Sequence, residues 1–338
     1  MKKYFCLFVL IIFVAATQHA AAQTDSCIVK LKNASTAYDE GNYDNAIQFL
    51  KAALNNCHLD RDDKLQAYKL LALSYIKVDN LEEADKTAAG IMKMDPYYKP
   101  DKFREDPKLS ALFEKYSPSP TFRISIGGGM NFSQAESEHS YSIVNSPEQS
   151  GLDVYNSKTG FQLGIGAEYR VLHSLWITAG FQYRRSGYEH VLDSVQGTTV
   201  NYSEQLSYFD VPLTAKYYLR RKTFSPWIEG GASLSFLSGA ISTTTRDDSK
   251  DIVDRSGLRK NFTTGWLAGA GVSYEMKGIC ILLSVRYAGY PELVNKEGTR
   301  YDDPVNAYKY SYLDDDFRMN HLEVNAGIAY TLVYKYKK

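Results

Sequence analysis

The sequence has 338 residues, with 39 basic and 39 acidic side chains and a formal net charge of zero. A neutral chain lacks the basic surface of a nucleic-acid-binding protein, and 44% hydrophobic with 13% aromatic residues excludes a largely disordered chain. The mean hydropathy of −0.35 is too low for a protein with many membrane-spanning helices. Tyrosine is unusually frequent, at 27 residues, and the length predicts two domains.

The first 22 residues have the organisation of a cleaved signal peptide. Lys2 and Lys3 precede an apolar run that ends near Ala16, and a small-residue cleavage site follows at Ala20–Ala22. The apolar run is shorter than the roughly 20 residues that a membrane-spanning helix needs. We therefore predict cleavage after Ala22 and export of the mature protein, with an uncleaved anchor as the less favoured alternative.

Between residues 26 and 116 the apolar residues recur every three or four positions, which predicts paired helices. The segment Gly41–Ile47 aligns with Asp79–Asp85, so the region contains an internal repeat.

These units resemble tetratricopeptide repeats, the second more closely than the first. The residues expected to pack the helices are Tyr43, Ala46, Tyr68, Leu71, Ala72, Tyr75, Ala84 and Pro96. Because a stable array normally needs at least three repeats, we expect residues 97–116 to cap the second one. The resemblance implies a module that binds protein segments, and a generic helical bundle is the alternative.

After Pro118–Pro120 the period of the apolar residues changes to two, which predicts β-strands. These alternating segments exceed the roughly 5–6 residues of a typical soluble strand and match the roughly 9–11 residues of a tilted membrane-crossing strand. The eight segments are residues 122–132, 161–171, 175–184, 209–220, 228–236, 266–274, 279–287 and 322–334.

Short and long connections alternate strictly between these segments. The short ones lie near 172–174, 221–223 and 275–278, and the long polar ones are 133–157, 187–205, 237–260 and 288–318. Bacterial outer-membrane barrels have this pattern, with short periplasmic turns and long external loops. An even number of strands places both ends of the barrel on one side. The predicted domains are therefore a periplasmic helical domain, 23–117, and an outer-membrane barrel, 118–338.

Four stretches of the barrel region resemble the PorT-type outer-membrane β-barrel family of Bacteroidota-like bacteria. They are Tyr208–Leu213, Pro226–Gly231, Gly269–Tyr274 and Arg286–Tyr287. The resemblance covers about residues 121–338. Since that family includes a component linked to type IX secretion, the resemblance implies a role in the cell envelope. The C-terminus departs from the pattern of many barrels, which end on an aromatic residue, because here a basic tail follows the last aromatic residue.

The predicted inward face carries nearly balanced charges. The basic residues are Arg123, Arg170, Arg184, Lys216, Arg286 and Lys335, and the acidic residues are Glu168, Asp210, Glu229, Glu275 and Glu323. Side chains just fill the interior of an eight-stranded barrel, so we expect ion pairs that plug the lumen. A narrow path for a ligand or an ion is the alternative.

Cys27 and Cys57 are predicted to form a disulfide. Cys27 lies in the first turn of the first helix and Cys57 in the last turn of the second, and antiparallel helices of similar length bring these ends together. Export permits the bond. Two reduced thiols in a helix interface are the alternative, and Cys280 is expected to stay unpaired inside the barrel.

The sequence shows no pattern for catalysis, a cofactor or a metal. The six histidines are scattered, without the spacing of a metal site. For the acidic run Asp314–Asp316, a solvated external loop is favoured over a site for divalent cations.

The sequence thus predicts a multidomain α + all-β protein, with tetratricopeptide-like helical hairpins ahead of an eight-stranded antiparallel transmembrane barrel. Its expected function is non-enzymatic: the barrel anchors a periplasmic protein-binding module in envelope assembly or secretion. The expected partners are outer-membrane lipid and an unidentified periplasmic or envelope protein, with no nucleic acid. The alternative is an outer-membrane ligand-binding or narrow transport barrel, and a surface hydrolase is least favoured.

Overall fold

The computed structural model describes residues 27–101, 106–141, 153–195, 198–220, 222–299 and 301–337. The predicted signal peptide, residues 1–22, lies outside these ranges. The chain divides into two compact units. One comprises the chain up to Ser119 together with residues 335–338, and the other runs from Pro120 to Tyr334.

The described part of the first unit contains five helices. They are residues 27–39 (α1), Tyr43–Asn56 (α2), Arg61–Lys77 (α3), Leu81–Met94 (α4) and Pro107–Glu114 (α5). Among all the residues that the structure describes, no helix combines the length and apolar character needed to cross a membrane.

Within each of the two helical hairpins, the two helices are joined by a turn, and the two turns have the same geometry. Gly41 and Asp79 adopt left-handed backbone conformations, with φ of 80° and 58°. Asn42 and Asn80 follow them as N-caps, and their side chains accept hydrogen bonds from backbone N–H groups in the first turns of α2 and α4. These caps satisfy donors that lack a partner within the helix. The matching turns support the internal repeat.

The core of the first unit lies between the paired helices. Of the residues expected to pack there, Ala46, Leu71, Ala72, Tyr75 and Ala84 are buried, while Tyr43, Tyr68 and Pro96 are half-buried. Tyr68 packs over Gly90, where an added Cβ would lie 3.2 Å from the ring. Helix α5 adds Leu109, Leu112 and Phe113 to the same core, in the segment expected to act as a cap.

The second unit is a closed ring of eight antiparallel strands, which confirms the predicted barrel. The strands are Ser117–His139 (β1), Asp153–Arg170 (β2), Leu175–Val195 (β3), Thr198–Tyr218 (β4), Phe224–Arg246 (β5), Ser249–Asp254 (β6), Phe262–Met276 (β7), Ile279–Gly289 (β8) and Asp316–Lys337 (β9). Strand β6 lies beside β5 outside the ring. In the ring β5 pairs with β7, and β1 pairs with β9.

Much of the predicted connections 133–157, 187–205 and 237–260 is instead strand, so those boundaries are wrong, whereas most of 288–318 lies outside the strands. Strands β3 and β4 continue as a paired hairpin through residues 187–205. In the extension of β4 the outward residues are polar, and so is the inward Glu204. The apolar–polar alternation that marks a strand in the sequence is therefore weak there.

The outward face of β4 marks the edge of the membrane band. Outward positions from Asn201 to Ser207 are polar, whereas those from Phe209 to Leu219 are apolar or aromatic. This apolar stretch is about 33 Å long at 3.3 Å per residue, or about 25 Å of membrane at a tilt of about 40°. That height matches the apolar band of an outer-membrane barrel.

Candidate functional site in the barrel lumen

The barrel lumen holds nearly all of the charges predicted to face inward. Arg123, Glu168, Arg184, Asp210, Lys216 and Glu323 are buried, and Arg170, Glu229, Glu275 and Arg286 are half-buried. The prediction for Lys335 is wrong: this residue is exposed and belongs to the first unit.

Two ion pairs fill the lumen near the short turns. The Arg123 Nη2 lies 2.8 Å from Glu275 Oε2. The Lys216 Nζ lies 2.6 Å from Glu168 Oε1. The members of each pair come from non-adjacent strands, so the pairs reach across the lumen.

Each of these cations also stacks on an inward tryptophan. The Arg123 guanidinium lies 4.7 Å from the Trp176 ring, and the Lys216 ammonium lies 4.4 Å from the Trp227 ring. The ring faces stabilise the buried cations and occupy the remaining width of the lumen. Sequence reasoning placed Trp176 in a predicted strand and Trp227 directly before one, without assigning either this role.

A second set of pairs lies further towards the long connections. The Arg286 Nη2 lies 2.8 Å from Glu323 Oε2, and its Nε lies 3.9 Å from Glu229 Oε1. The Arg184 Nε lies 2.7 Å from Asp210 Oδ2.

Arg184 also has aromatic and imidazole partners. Its Nη1 lies 2.6 Å from His321 Nε2, and its Nη2 donates to the Tyr290 hydroxyl at 3.4 Å. The guanidinium lies 4.7 Å from the Tyr208 ring. This cluster fills the lumen at the outer edge of the membrane band.

A cavity of about 140 Å³ remains between the two sets of pairs. Its charged and polar lining residues are Glu168, Lys216, Glu229, Arg286, Ser125, Gln162, Thr178, Gln182, Thr214, Ser284 and Asn325.

Beyond the membrane band, four buried charges close the outer end of the barrel. Arg259 donates from Nε to Glu204 Oε1 at 2.7 Å and from Nη1 to Asp314 Oδ2 at 2.6 Å. Arg255 donates to the same Asp314 oxygen at 2.7 Å. We call these four residues the outer cap. Sequence reasoning did not identify Glu204, Arg255 or Arg259, because all three lie in segments expected to be long polar connections.

The environment of Glu204 keeps its carboxylate ionised. Burial by itself raises the pKa of this carboxyl, but the Arg259 guanidinium outweighs burial and lowers the pKa to about 2. The Tyr188 and Tyr202 hydroxyls donate to Oε2 at 2.7 and 2.8 Å. An ionised carboxylate with this many donors is well compensated for its burial.

The prediction of a solvated loop is wrong for Asp314 and Asp315, which are both buried. Asp315 accepts hydrogen bonds from the Tyr155 hydroxyl at 2.7 Å, the Ser137 hydroxyl at 3.2 Å and the Tyr141 N–H at 3.0 Å. The chain's own donors thus occupy both carboxylates. Within the described ranges, no group of three His, Cys, Asp or Glu side chains is placed to hold a metal ion.

The structure also places the three described cysteines. Cys27 and Cys57 are joined by a disulfide, with their Cα atoms 5.8 Å apart. Cys280 is unpaired and buried, and its Sγ lies 3.9 Å from Arg123 Nη1.

Comparisons with known proteins match this architecture. Residues 114–288 match the family model for the outer membrane protein beta-barrel domain. No curated protein matches the sequence. Similar solved structures include Neisserial surface protein A, with 16% identity over 62% of this chain and 97% of that chain, and a TM-score of 0.32. Others are OprG from Pseudomonas aeruginosa, with 12% identity, coverage of 63% and 96% and a TM-score of 0.36, and Ail of Yersinia pestis, with 16% identity, coverage of 63% and 99% and a TM-score of 0.30.

Proposed function

The chain belongs to the outer membrane protein beta-barrel domain family, and we propose that its barrel is a closed anchor for a periplasmic protein-binding helical unit. In this proposal the helical unit holds a periplasmic or envelope protein at the inner face of the outer membrane, in envelope assembly or protein secretion.

The observation that carries the proposal is the plugged lumen. General porins enclose a water-filled channel, whereas here Arg123 and Lys216 reach across the lumen to carboxylates within 2.8 Å. The Arg184–Asp210 pair, at 2.7 Å, fills it further. The outer cap adds a further buried layer beyond the membrane band. A barrel filled in this way serves as an anchor better than as a general pore.

The helical unit supports the second half of the proposal. Its repeated hairpins resemble tetratricopeptide repeats, a family that usually binds protein segments. The even number of ring strands lets the chain enter and leave the barrel on the side of the short turns, which are periplasmic in barrels of this kind. The PorT-type resemblance favours envelope assembly or secretion as the setting.

Site-specific photo-crosslinking of the full-length protein in intact envelopes tests the proposal. A photoreactive residue would replace Phe49 or Leu81, which are exposed apolar positions of the helical unit at 39% and 57% exposure. Tyr308, which is 87% exposed in the last long connection of the barrel, is the matched control. We expect a discrete protein adduct from a helical position and none from Tyr308. Identical products at all three positions, or no adduct from either helical position, would contradict the proposal.

A ligand-binding or narrow transport barrel is the second candidate, and the lumen cavity favours it. A volume of about 140 Å³ holds several water molecules at roughly 30 Å³ each. Planar-bilayer recordings separate the candidates. A closed anchor shows no stable pore, whereas a steady conductance near that of general porins would favour transport.

A further inference from the structure

Strand β6 has one unpaired edge. It pairs with β5 over residues 241–246, and among the described residues it has no second partner strand. Within the described part of the chain, no backbone hydrogen bond from outside β5 reaches residues 249–254. Because an unpaired strand edge is a template for pairing with another chain, this edge is a candidate interaction surface.

The free edge lies beyond the membrane band, at the outer end of the barrel. Thr243 of β5 pairs with Ser203 of β4 on one side and with Ile252 of β6 on the other. Ser203 belongs to the polar outward stretch of β4, which begins where the apolar band ends. Strand β6 is therefore outside the lipid, where another protein can reach it.

Three residues of β6 direct their backbone groups to the free edge. The Arg255 N–H donates to the Ala240 carbonyl at 2.8 Å, so this position is hydrogen-bonded to β5. In an antiparallel pair, hydrogen-bonded and non-hydrogen-bonded positions alternate. Lys250, Ile252 and Asp254 therefore present their N–H and C=O groups to the unpaired side.

The side chains of the same three residues are exposed on the outward face. Ile252 is 66% exposed, and Lys250 and Asp254 are exposed on either side of it. Lys250 has no ion-pair partner among the described residues. The Asp254 Oδ1 accepts hydrogen bonds from the N–H and hydroxyl of Ser256, which leaves Oδ2 for a partner.

These three side chains are complementary to a reversed copy of themselves. If β6 pairs in the antiparallel direction with β6 of a second copy, and Ile252 lies opposite Ile252, then Lys250 lies opposite Asp254 at both ends. Opposite charges across an antiparallel pair stabilise it, and like charges destabilise it. A shift of the register by two residues in either direction loses both charge pairs. Charges on an edge usually prevent pairing, but this symmetric arrangement selects one partner.

The direction of the pairing determines where the second copy lies. Neighbouring antiparallel strands are related by a two-fold axis perpendicular to their sheet. Strand β6 continues the barrel wall, and the barrel axis runs across the membrane, so the two-fold axis is parallel to the membrane plane. The rotation inverts the second barrel relative to the first. The second copy must therefore belong to a facing membrane.

We propose that β6 pairs in the antiparallel direction with β6 of a second copy in a facing outer membrane, with Lys250 against Asp254 and Ile252 against Ile252. The contact uses the same surface of both copies. A single pair of short strands is a weak interface, but many copies on two facing membranes make the contact multivalent. The contact does not involve the helical unit and goes beyond the proposed anchoring function.

Cysteine crosslinking of the full-length protein in nanodiscs tests the pairing. Each disc of dimyristoylphosphatidylcholine holds one protein, so a crosslinked dimer joins two discs. In Ile252→Cys the two new thiols meet at the two-fold axis, with Cα atoms about 5.5 Å apart, which is within the range of a disulfide. The native cysteines do not interfere, because Cys27 and Cys57 are joined and Cys280 is buried.

Ile241→Cys is the matched control. Ile241 is 52% exposed and faces outward, but it lies on β5, one strand further from the axis. Three strand spacings, at least about 14 Å, separate it from its copy, which is too far for a disulfide. We expect disulfide-linked dimers from Ile252→Cys and none from Ile241→Cys. No dimer from Ile252→Cys, or equal yields from both, would overturn the proposal.

Two charge reversals in the Ile252→Cys protein test whether the partner is a second copy. Lys250→Glu places acids against acids, and Asp254→Lys places bases against bases. Each variant alone should lose about tenfold in dimer yield. A mixture of the two restores opposite charges at both ends, so mass spectrometry should detect mixed dimers at the original yield. Recovery in the mixture also shows that both variants fold. Undiminished dimers from Lys250→Glu alone would overturn the charge pairing, whatever the behaviour of Asp254→Lys.

Discussion

At the residue scale, neighbouring positions of one strand face different environments, lipid on one side and the barrel lumen on the other. Leu213 lies near the centre of the membrane band and is 47% exposed, whereas Thr214 faces the lumen and is 6% exposed. Leu213→Arg places a charge in lipid and is expected to cost about 2–4 kcal/mol of the free energy of unfolding. Thr214→Asn keeps a polar group among polar neighbours and should cost less. Urea unfolding from lipid vesicles measures both, and equal losses would contradict the assigned register.

The outer cap gives a prediction about pH. Because the folded state lowers the pKa of Glu204 from 4.5 to about 2, its ionised carboxylate stabilises the cap fully above about pH 4.5. That stabilisation is lost as the pH falls through about 2. We expect pepsin to cleave the outer connections slowly at pH 4 and much faster near pH 2.

Removing the cation of the cap should shift this transition. Arg259→Met leaves Glu204 without its main partner, and breaking a buried pair in this way costs about 3–5 kcal/mol. Pepsin cleavage should then become fast already near pH 4. Lys309→Met is the control, because it removes an exposed ion pair with Asp251 on the same side of the barrel and should leave the profile unchanged. Matching profiles for the two variants would refute the role of the cap.

At the element scale, the disulfide fastens the first helical hairpin. It joins α1 to the residue that follows α2 and closes a loop with a sequence separation of 30 residues. In the chain-entropy model such a loop contributes roughly 3–4 kcal/mol, which an array with two clear repeats needs. Peptide mapping of mature protein without reductant should recover Cys27 and Cys57 in one linked pair. Two free thiols at these positions would disprove the bridge, and Cys280 serves as the unpaired reference.

The elements differ in how far the sequence predicts them. Within the membrane band, lipid requires an apolar outward face, so segments such as 209–220 alternate clearly and their strands are predictable. Beyond the band that requirement ends, and the extension of β4 alternates exposed Gln205 with buried Glu204. From a single sequence, a strand with polar residues on both faces cannot be distinguished from a loop.

The same limit applies to the site. Arg123, Lys216 and the other inward charges follow from the alternation of their strands. The pairing of Arg123 with Glu275 and of Lys216 with Glu168 joins non-adjacent strands, so it depends on how the ring closes, which no local pattern contains. The burial of Asp314 and Asp315 depends in the same way on side chains from distant parts of the chain, such as Arg259 and Tyr155.

At the scale of the whole molecule, two units with different kinds of stability share one chain. The barrel unit closes on itself through interstrand hydrogen bonds. The helical unit depends on a small apolar core and one disulfide. We therefore expect the barrel unit to resist detergent whether or not reductant has opened the disulfide of the helical unit.

Electrophoresis in dodecyl sulfate tests this independence. Because every ring strand is paired on both sides, the barrel should stay compact without boiling, and the protein should run faster unboiled than boiled. Reductant opens the Cys27–Cys57 bond in the helical unit, so it should leave the faster-running species in place. The Leu213→Arg variant is the reference for a weakened barrel and should lose that species at a lower temperature. Disappearance of the faster species on reduction alone would show that the barrel relies on the helical unit for its stability.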